Sequence, residues 1–227
     1  MADKDDWRLN GRKKRMERSS LDEMIRRTLH PSLMEKGFTH KARTWNRNVG
    51  WYIDVVDVQV GRWSRADEGD FTVNVGVFVP SVYKVFWGED APPFVAEERC
   101  VVRARLGALK NDGGLAEDNL KARPTDLWWD FDASTDLEAL GREVSELVVD
   151  LGLPFLEGLH SIEAVHRFLM TPHAERQVSV PYAYCYLAII KAQMGDDIGA
   201  KRLLEHVGQR WHSWQAVTSR VADQLEV

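Results

Sequence analysis

Apolar and polar side chains alternate strictly from Phe71 to Val79. Phe71, Val73, Val75, Val77 and Val79 fall on one side, and Thr72, Asn74, Gly76 and Phe78 on the other. A two-residue period rich in β-branched side chains predicts a half-buried strand. Trp51 to Val60 alternates less cleanly. Trp51, Ile53 and Val55 share a side with Asp57 and Gln59, while Tyr52, Val56, Val58 and Val60 share the other with Asp54. Apolar residues on both sides predict a central strand covered on both faces for part of its length. Asn46-Arg47-Asn48-Val49-Gly50 has the composition of a hairpin turn, because Asn and Gly tolerate positive φ. Arg65 to Asp70 is polar, contains Gly69 and predicts the next turn. Lys36 to Pro80 is therefore an expected antiparallel meander of three strands, with the rest of the chain as cover, brace or extension.

Beyond it, Ser81 to Gly88 is expected as a wide turn or an edge. Arg99 to Leu106 predicts a fourth strand, with Cys100, Val102, Ala104 and Leu106 on its apolar side and Arg99, Arg103 and Arg105 opposite, together with Val101. Leu127 to Phe131 predicts a short fifth strand. Two capping boxes announce helices. Ser20-Leu21-Asp22-Glu23 opens one that buries Leu21, Met24, Ile25, Leu29, Leu33 and Met34, that Pro31 kinks or restarts, and that Gly37 ends. Thr135-Asp136-Leu137-Glu138 opens another, whose stripe runs from Leu137 through Leu140, Val144, Leu147 and Val148 to Leu151 until Gly152 and Pro154 stop it. Ser161 caps a short helix ending at Leu169. Past a boundary at Thr171-Pro172-His173, Pro181–Met194 and Ile198–Val207 form a helix pair around Gly195-Asp196, and Trp211–Leu225 a last helix.

The expected fold is α+β. An antiparallel sheet of four to five strands is packed by an N-terminal helix and C-terminal helices, with a helical-hairpin extension. Residues 1–19 form a basic arm, 20–170 the α+β domain and 171–227 the helical extension. Within that extension Leu187, Ala188, Gly195, Asp196, Ala200 and Leu204 resemble one tetratricopeptide unit, that is, two antiparallel helices with small residues at the crossing.

A wider resemblance rests on Gly37, Phe38, Lys41, Trp45, Val58, Gln59, Arg62, Trp63, Phe71, Asn74, Gly76 and Val77, and further on Cys100, Arg103, Arg105, Leu106, Trp128 and Trp129. In this order and spacing they resemble the bacterial domain-of-unknown-function family 4304, over roughly residues 21–170. The resemblance implies an α+β fold. The family carries no established activity, so the resemblance implies no catalytic residues.

Composition narrows the function classes. No apolar run approaches the ~20 residues of a membrane span, and the N-terminus is polar and charged rather than secretory in pattern. The two cysteines, Cys100 and Cys185, lie far apart and outside any metal-type or redox spacing, which points to a reduced, cytoplasmic setting. A net charge of −5 disfavours a whole-body nucleic-acid binder. It leaves open a local basic arm, where Arg8, Arg12, Lys13, Lys14, Arg15 and Arg18 cluster without an aromatic stacking pattern. Nine tryptophans are enough both to fill a core and to mark a contact surface.

Candidate chemistry is sparse. Asp54 and Asp57 are three apart on a strand and so face opposite ways, which disfavours a shared metal or an acid–base dyad. Asp130 and Asp132 do share a face. They could hold Mg²⁺ with a phosphate substrate, or simply lead into a helix N-terminus whose dipole favours negative charge. The row of Arg99, Arg103 and Arg105 is either an anion site or a set of cross-strand ion pairs, with Asp54 or Asp57 as partners. Asn74 and Gln59 join it if their faces coincide. His160, His166 and His173 are spaced six and seven apart and do not meet as ligands on one helix. No nucleophile elbow, phosphate loop, dinucleotide fingerprint or zinc-protease motif is present.

The candidate binding residues are thus Arg99, Arg103, Arg105, Asn74, Gln59, Trp63, Asp130 and Asp132; no catalytic residue, metal ligand or cofactor is assigned. The expected role is a non-enzymatic protein-interaction module, adaptor or immunity-like, with a protein partner and without nucleic acid or membrane. The competing expectation is a small-molecule or phosphate-binding enzyme on the arginine-lined sheet face.

Overall fold

The computed structural model describes residues 19–111, 127–171 and 180–227. The basic arm up to Arg18, and Pro172 with His173, lie outside the described residues.

Six antiparallel strands form one sheet: β1 (Thr39–Lys41), β2 (Thr44–Val49), β3 (Tyr52–Val60), β4 (Gly69–Phe78), β5 (Val102–Arg105) and β6 (Trp129–Phe131). The first four follow each other as a meander. The far side of β4 is shared, with β5 pairing Asn74–Val77 and β6 pairing Gly69–Phe71. Four strands, not three, therefore come from the Lys36–Pro80 stretch. Asn46, Arg47 and Asn48 lie inside β2 rather than in a turn. The reversal is the two residues Gly50 and Trp51, between paired Val49 and Tyr52, with Gly50 at φ 60°. Asn46 is buried and usefully so, because its amide donates to Val95 O (3.0 Å) and accepts from Val95 N (2.7 Å).

The helices are α1 (Ser20–Arg27), α2 (Leu29–Glu35), α3 (Pro80–Trp87), α4 (Leu106–Asn111), α5 (Leu137–Leu147), α6 (Leu153–Glu157), α7 (Ile162–Leu169), α8 (Val180–Gln193), α9 (Asp197–Arg210) and α10 (Gln215–Leu225). The first cap is Ser19, one residue before the expected Ser20: its hydroxyl accepts from Asp22 N, while Ser20 donates to Asp67. The helix breaks at Thr28. Pro31 has no N–H and its ring crowds the carbonyl four residues earlier, so α2 restarts there. At α5 the cap is Asp136 rather than Thr135. Gly152 and Pro154 do not stop that helix, since a wider π turn at Val148–Gly152 accommodates the proline and leads straight into α6. Ser161 caps α7 as its sequence predicts.

Two further expectations fail for one reason. Ser81 to Gly88 is a helix, because Val82, Tyr83 and Phe86 recur at helical spacing and bury against the sheet and α8; Pro80 begins it and Gly88, at φ 72°, ends it. The fourth strand is only Val102–Arg105. Glu97–Arg99 is a 3-10 turn before it, and Leu106 already begins α4. In both places short apolar runs fit either period, and packing decided.

β4 is buried on both faces, not one. Its Phe71, Val73, Val75 and Val77 face a large core shared with α1, α2, α5, α6 and α7 and continuous with α8–α10. The opposite face is only partly covered. Val55, Phe78, Tyr83, Val95 and Cys100 make a second, smaller core there. Gly76 permits this close cover, because a Cβ on it would stand 2.8 Å from Val102 O and 2.9 Å from Cys100 Sγ. No helix among the described residues is long and apolar enough to cross a membrane.

Candidate functional site

The strand registers place one polar residue from each of five strands in line. Lys41 opposes Thr44, Thr44 opposes Asp57, Asp57 opposes Asn74, and Asn74 opposes Arg105. At about 4.8 Å per strand this row spans roughly 19 Å. It crosses the face that the smaller core only partly covers, from exposed Lys41 through half-buried Thr44 and Asp57 and buried Asn74 to half-buried Arg105. Gln59, two residues from Asp57, lies on the same face, and Asn74 Nδ2 donates to Gln59 Oε1 at 3.0 Å. Thr44 Oγ1 donates to Asp57 Oδ1 at 2.6 Å. Burial, together with the nearby Glu97 and Glu98 carboxylates, lifts Asp57 above the usual carboxylate range against the hydrogen bonds from Thr44 and Asn74. Asp57 thus holds its proton to higher pH than an exposed aspartate would.

Of the residues expected from sequence, this face brings together Arg103, Arg105, Asn74, Gln59 and Asp130, the last through its pairing with Asp70 at the β4–β6 end. The three arginines do not act as a row. Arg103 donates to Glu97 through Nε and Nη2, at 2.7 and 2.6 Å, so its partner is neither Asp54 nor Asp57. Arg105 lies over the Trp128 ring at 5.4 Å. Arg99 sits in the 3-10 turn, against Trp87 at 4.7 Å and Tyr83 at 5.9 Å. Asp132 is drawn away as well. It accepts from Ser134 and Thr135, which hold its carboxyl below the usual range, in the turn that leads to α5. Trp63, in the loop after β3, is 85% exposed with the Arg62 guanidinium 5.5 Å from its ring.

Sequence reasoning missed the most tightly built polar group. Asp54 is fully buried on the helix-covered face. Its Oδ2 accepts from Arg47 Nε (3.0 Å) and Nη2 (2.8 Å), and its Oδ1 lies 2.7 Å from His160 Nε2. The Tyr52 ring stacks on His160 at 6.0 Å. The only local signal was a carboxylate inside the apolar run Ile53–Val58; its histidine partner lies 106 positions further on. Both oxygens are engaged, and the group ties the α6–α7 turn to β2 and β3. The cysteines offer no nucleophile. Burial pushes the Cys100 thiol well up and the Cys185 thiol up to about 12, and neither forms a disulfide. Among the described residues no group of three or more His, Cys, Asp or Glu could hold a metal.

The family described as Domain of unknown function (DUF4304) matches residues 29–158, more than half of the chain. The chain belongs to that family. The matched range runs from α2 to the end of α6, and so contains all six strands and the polar row, while α7–α10 lie outside it. Comparison with curated proteins and with solved structures finds no match.

Proposed function

We propose that this family member is a non-enzymatic, cytoplasmic bacterial protein-interaction module, of adaptor or immunity-like type, whose contact surface comprises the polar sheet face and the exposed Trp63 of the loop after β3. One observation carries the proposal. The guanidiniums of Arg99, Arg103 and Arg105 are each engaged by a carboxylate or a ring of this same chain, so the face offers a fixed relief rather than an open anion hole. Pre-paired polar groups and an exposed tryptophan are the chemistry of a protein interface. Two buried thiols without a disulfide support a reducing compartment.

Affinity capture from a bacterial lysate tests the reading. A stoichiometric protein is expected with the wild-type chain, and Trp63→Ala is expected to weaken it by about 2 kcal/mol, roughly thirtyfold. Retention that is equal for wild type and Trp63→Ala would remove this face from the interface.

A second reading, a small-molecule or phosphate-binding enzyme on the same face, draws support from Asp57, a proton-holding acid within one cross-strand row of Arg105. It requires an activity that Arg103→Ala and Asp130→Ala abolish.

A further inference from the structure

An open pocket of about 820 Å³ lies where α1 and α2 meet the β1–β2 turn, with Thr44 of the polar row in its lining. Asp22, Arg26, His30, His40 and Arg43 line it. His30 is the key to its chemistry. Buried Trp45 donates its indole N–H to His30 Nδ1 at 3.3 Å. An indole nitrogen is a donor only, so Nδ1 must present its lone pair and the neutral ring carries its proton on Nε2. Protonating Nδ1 would set two donors face to face. Burial and the neighbouring His40 also lower the proton affinity of His30, in the same direction. The two imidazoles sit 4.3 Å apart, and His40 stacks on Trp45, its cross-strand neighbour. Locked this way, His30 keeps no ring lone pair for a metal and offers an N–H.

The other groups agree. Arg26 and Arg43 add two guanidiniums to the lining, each paired through part of its fork, Arg43 Nε with Asp22 at 2.7 Å and Arg26 Nε and Nη2 with Glu23 at 3.0 and 2.6 Å; the fixed N–H of His30 is what sets this site apart from the paired arginines of the sheet face. The turn residue Ala42, also in the lining, takes a left-handed φ of 55°, a conformation that disfavours a side chain. Such a backbone persists where its surroundings over-determine it.

We propose that this cavity binds the phosphate group of a small ligand, with His30 Nε2–H, Arg43 and Arg26 as the donors and His40 as the wall that orients His30. Guanidinium forks and a fixed imidazole N–H suit a tetrahedral oxyanion with several acceptor oxygens.

Inorganic phosphate serves as the probe, followed by long-range ¹⁵N–¹H NMR of the histidine rings in the full chain. His30 is expected as the Nε2–H tautomer, with its signals and the Trp45 indole shifting saturably as phosphate is added. Arg43→Gln and His30→Leu are expected to weaken binding about tenfold or more. His30→Gln, whose amide can both accept from Trp45 and donate into the cavity, is expected to retain it. That variant keeps the test valid if His30→Leu fails to fold. An Nδ1–H tautomer, the absence of a saturable shift, wild-type affinity in Arg43→Gln, or equal displacement by acetate would each overturn the proposal.

Discussion

On its helix-covered face the sheet buries Asp54 completely between Arg47 and His160; three residues along the same strand, on the other face, Asp57 meets only a hydroxyl and an amide. The two carboxylates differ in what their surroundings demand. A charge in an apolar core is tolerable only when every lone pair is answered by a donor, preferably a charged one. At the partly covered face solvent still shares the load, and Glu97 and Glu98 crowd the Asp57 carboxyl without ruining the fold. One face therefore uses its polar residues to assemble the molecule, and the other holds them in reserve for contact. Arg103–Glu97 is an intermediate case, a bidentate pair at the border of the smaller core, with the Glu97 residue only 6% exposed.

Mutations can break or sharpen this contrast. The largest effect belongs to Asp54→Ala, which strands the Arg47 guanidinium beside His160; a loss of about 3–5 kcal/mol in urea unfolding is expected. Arg103→Ala leaves the Glu97 carboxylate buried without its fork and should cost about 2 kcal/mol by the same measurement. A loss as large as that of Asp54→Ala would mean that the second face is as structural as the first. Gly76→Ala probes the close cover of the smaller core. Its methyl would press on Val102 O and Cys100, for an expected cost of about 1–3 kcal/mol in thermal or urea unfolding.

Asp57→Asn should stay within about 1 kcal/mol of wild type, but with a distinctive pH dependence. The native carboxyl has a raised pKa, so above the ordinary value of 3.8 the folded chain binds more protons than the unfolded chain. Its contribution to stability therefore falls as pH rises through the window between the unfolded and the folded pKa, and levels off above it. The asparagine variant lacks this fall, so its stability relative to wild type should improve from acid toward neutral pH in a series of urea midpoints. An unchanged difference across that window would show that Asp57 is ordinarily solvated and that the two faces differ less than the geometry says.

Trp63→Ala should move stability by no more than about 0.5 kcal/mol, because the residue is 85% exposed. A clear loss in unfolding measurements would make Trp63 part of the fold rather than of the contact surface.

How much of this was legible before the fold is best judged from particular residues. Gly37 and Gly195 end α2 and α8 with positive φ as their positions predict, since glycine alone enters that region without a Cβ penalty. Ser161 caps where expected, and the caps of α1 and α5 are misplaced by a single residue. The α8–α9 hairpin was legible from its spacing and its glycine turn. Less legible were α3 and the short β5, because a run such as Val82-Tyr83-Lys84-Val85-Phe86 satisfies a strand period and a helix period almost equally. For the candidate site, the common face of Asn74, Gln59, Arg103 and Arg105 was readable as a possibility; the division of the arginines among Glu97, Trp128, Trp87 and Tyr83 was not.

By itself, then, the sequence determined the long periodic strands, the helix caps within a residue, the α+β class and the family. These follow from local rules, since a side chain's alternation and a backbone's preferred φ are set by immediate neighbours. The tertiary structure alone decided which charges meet. His160 reaches Asp54 across 106 positions, Lys41 aligns with Arg105 through four successive strand registers, and Trp45 fixes the proton of His30 from a different element. Such partnerships depend on register and packing over long separations, where no local pattern of hydrophobic and polar residues carries the information.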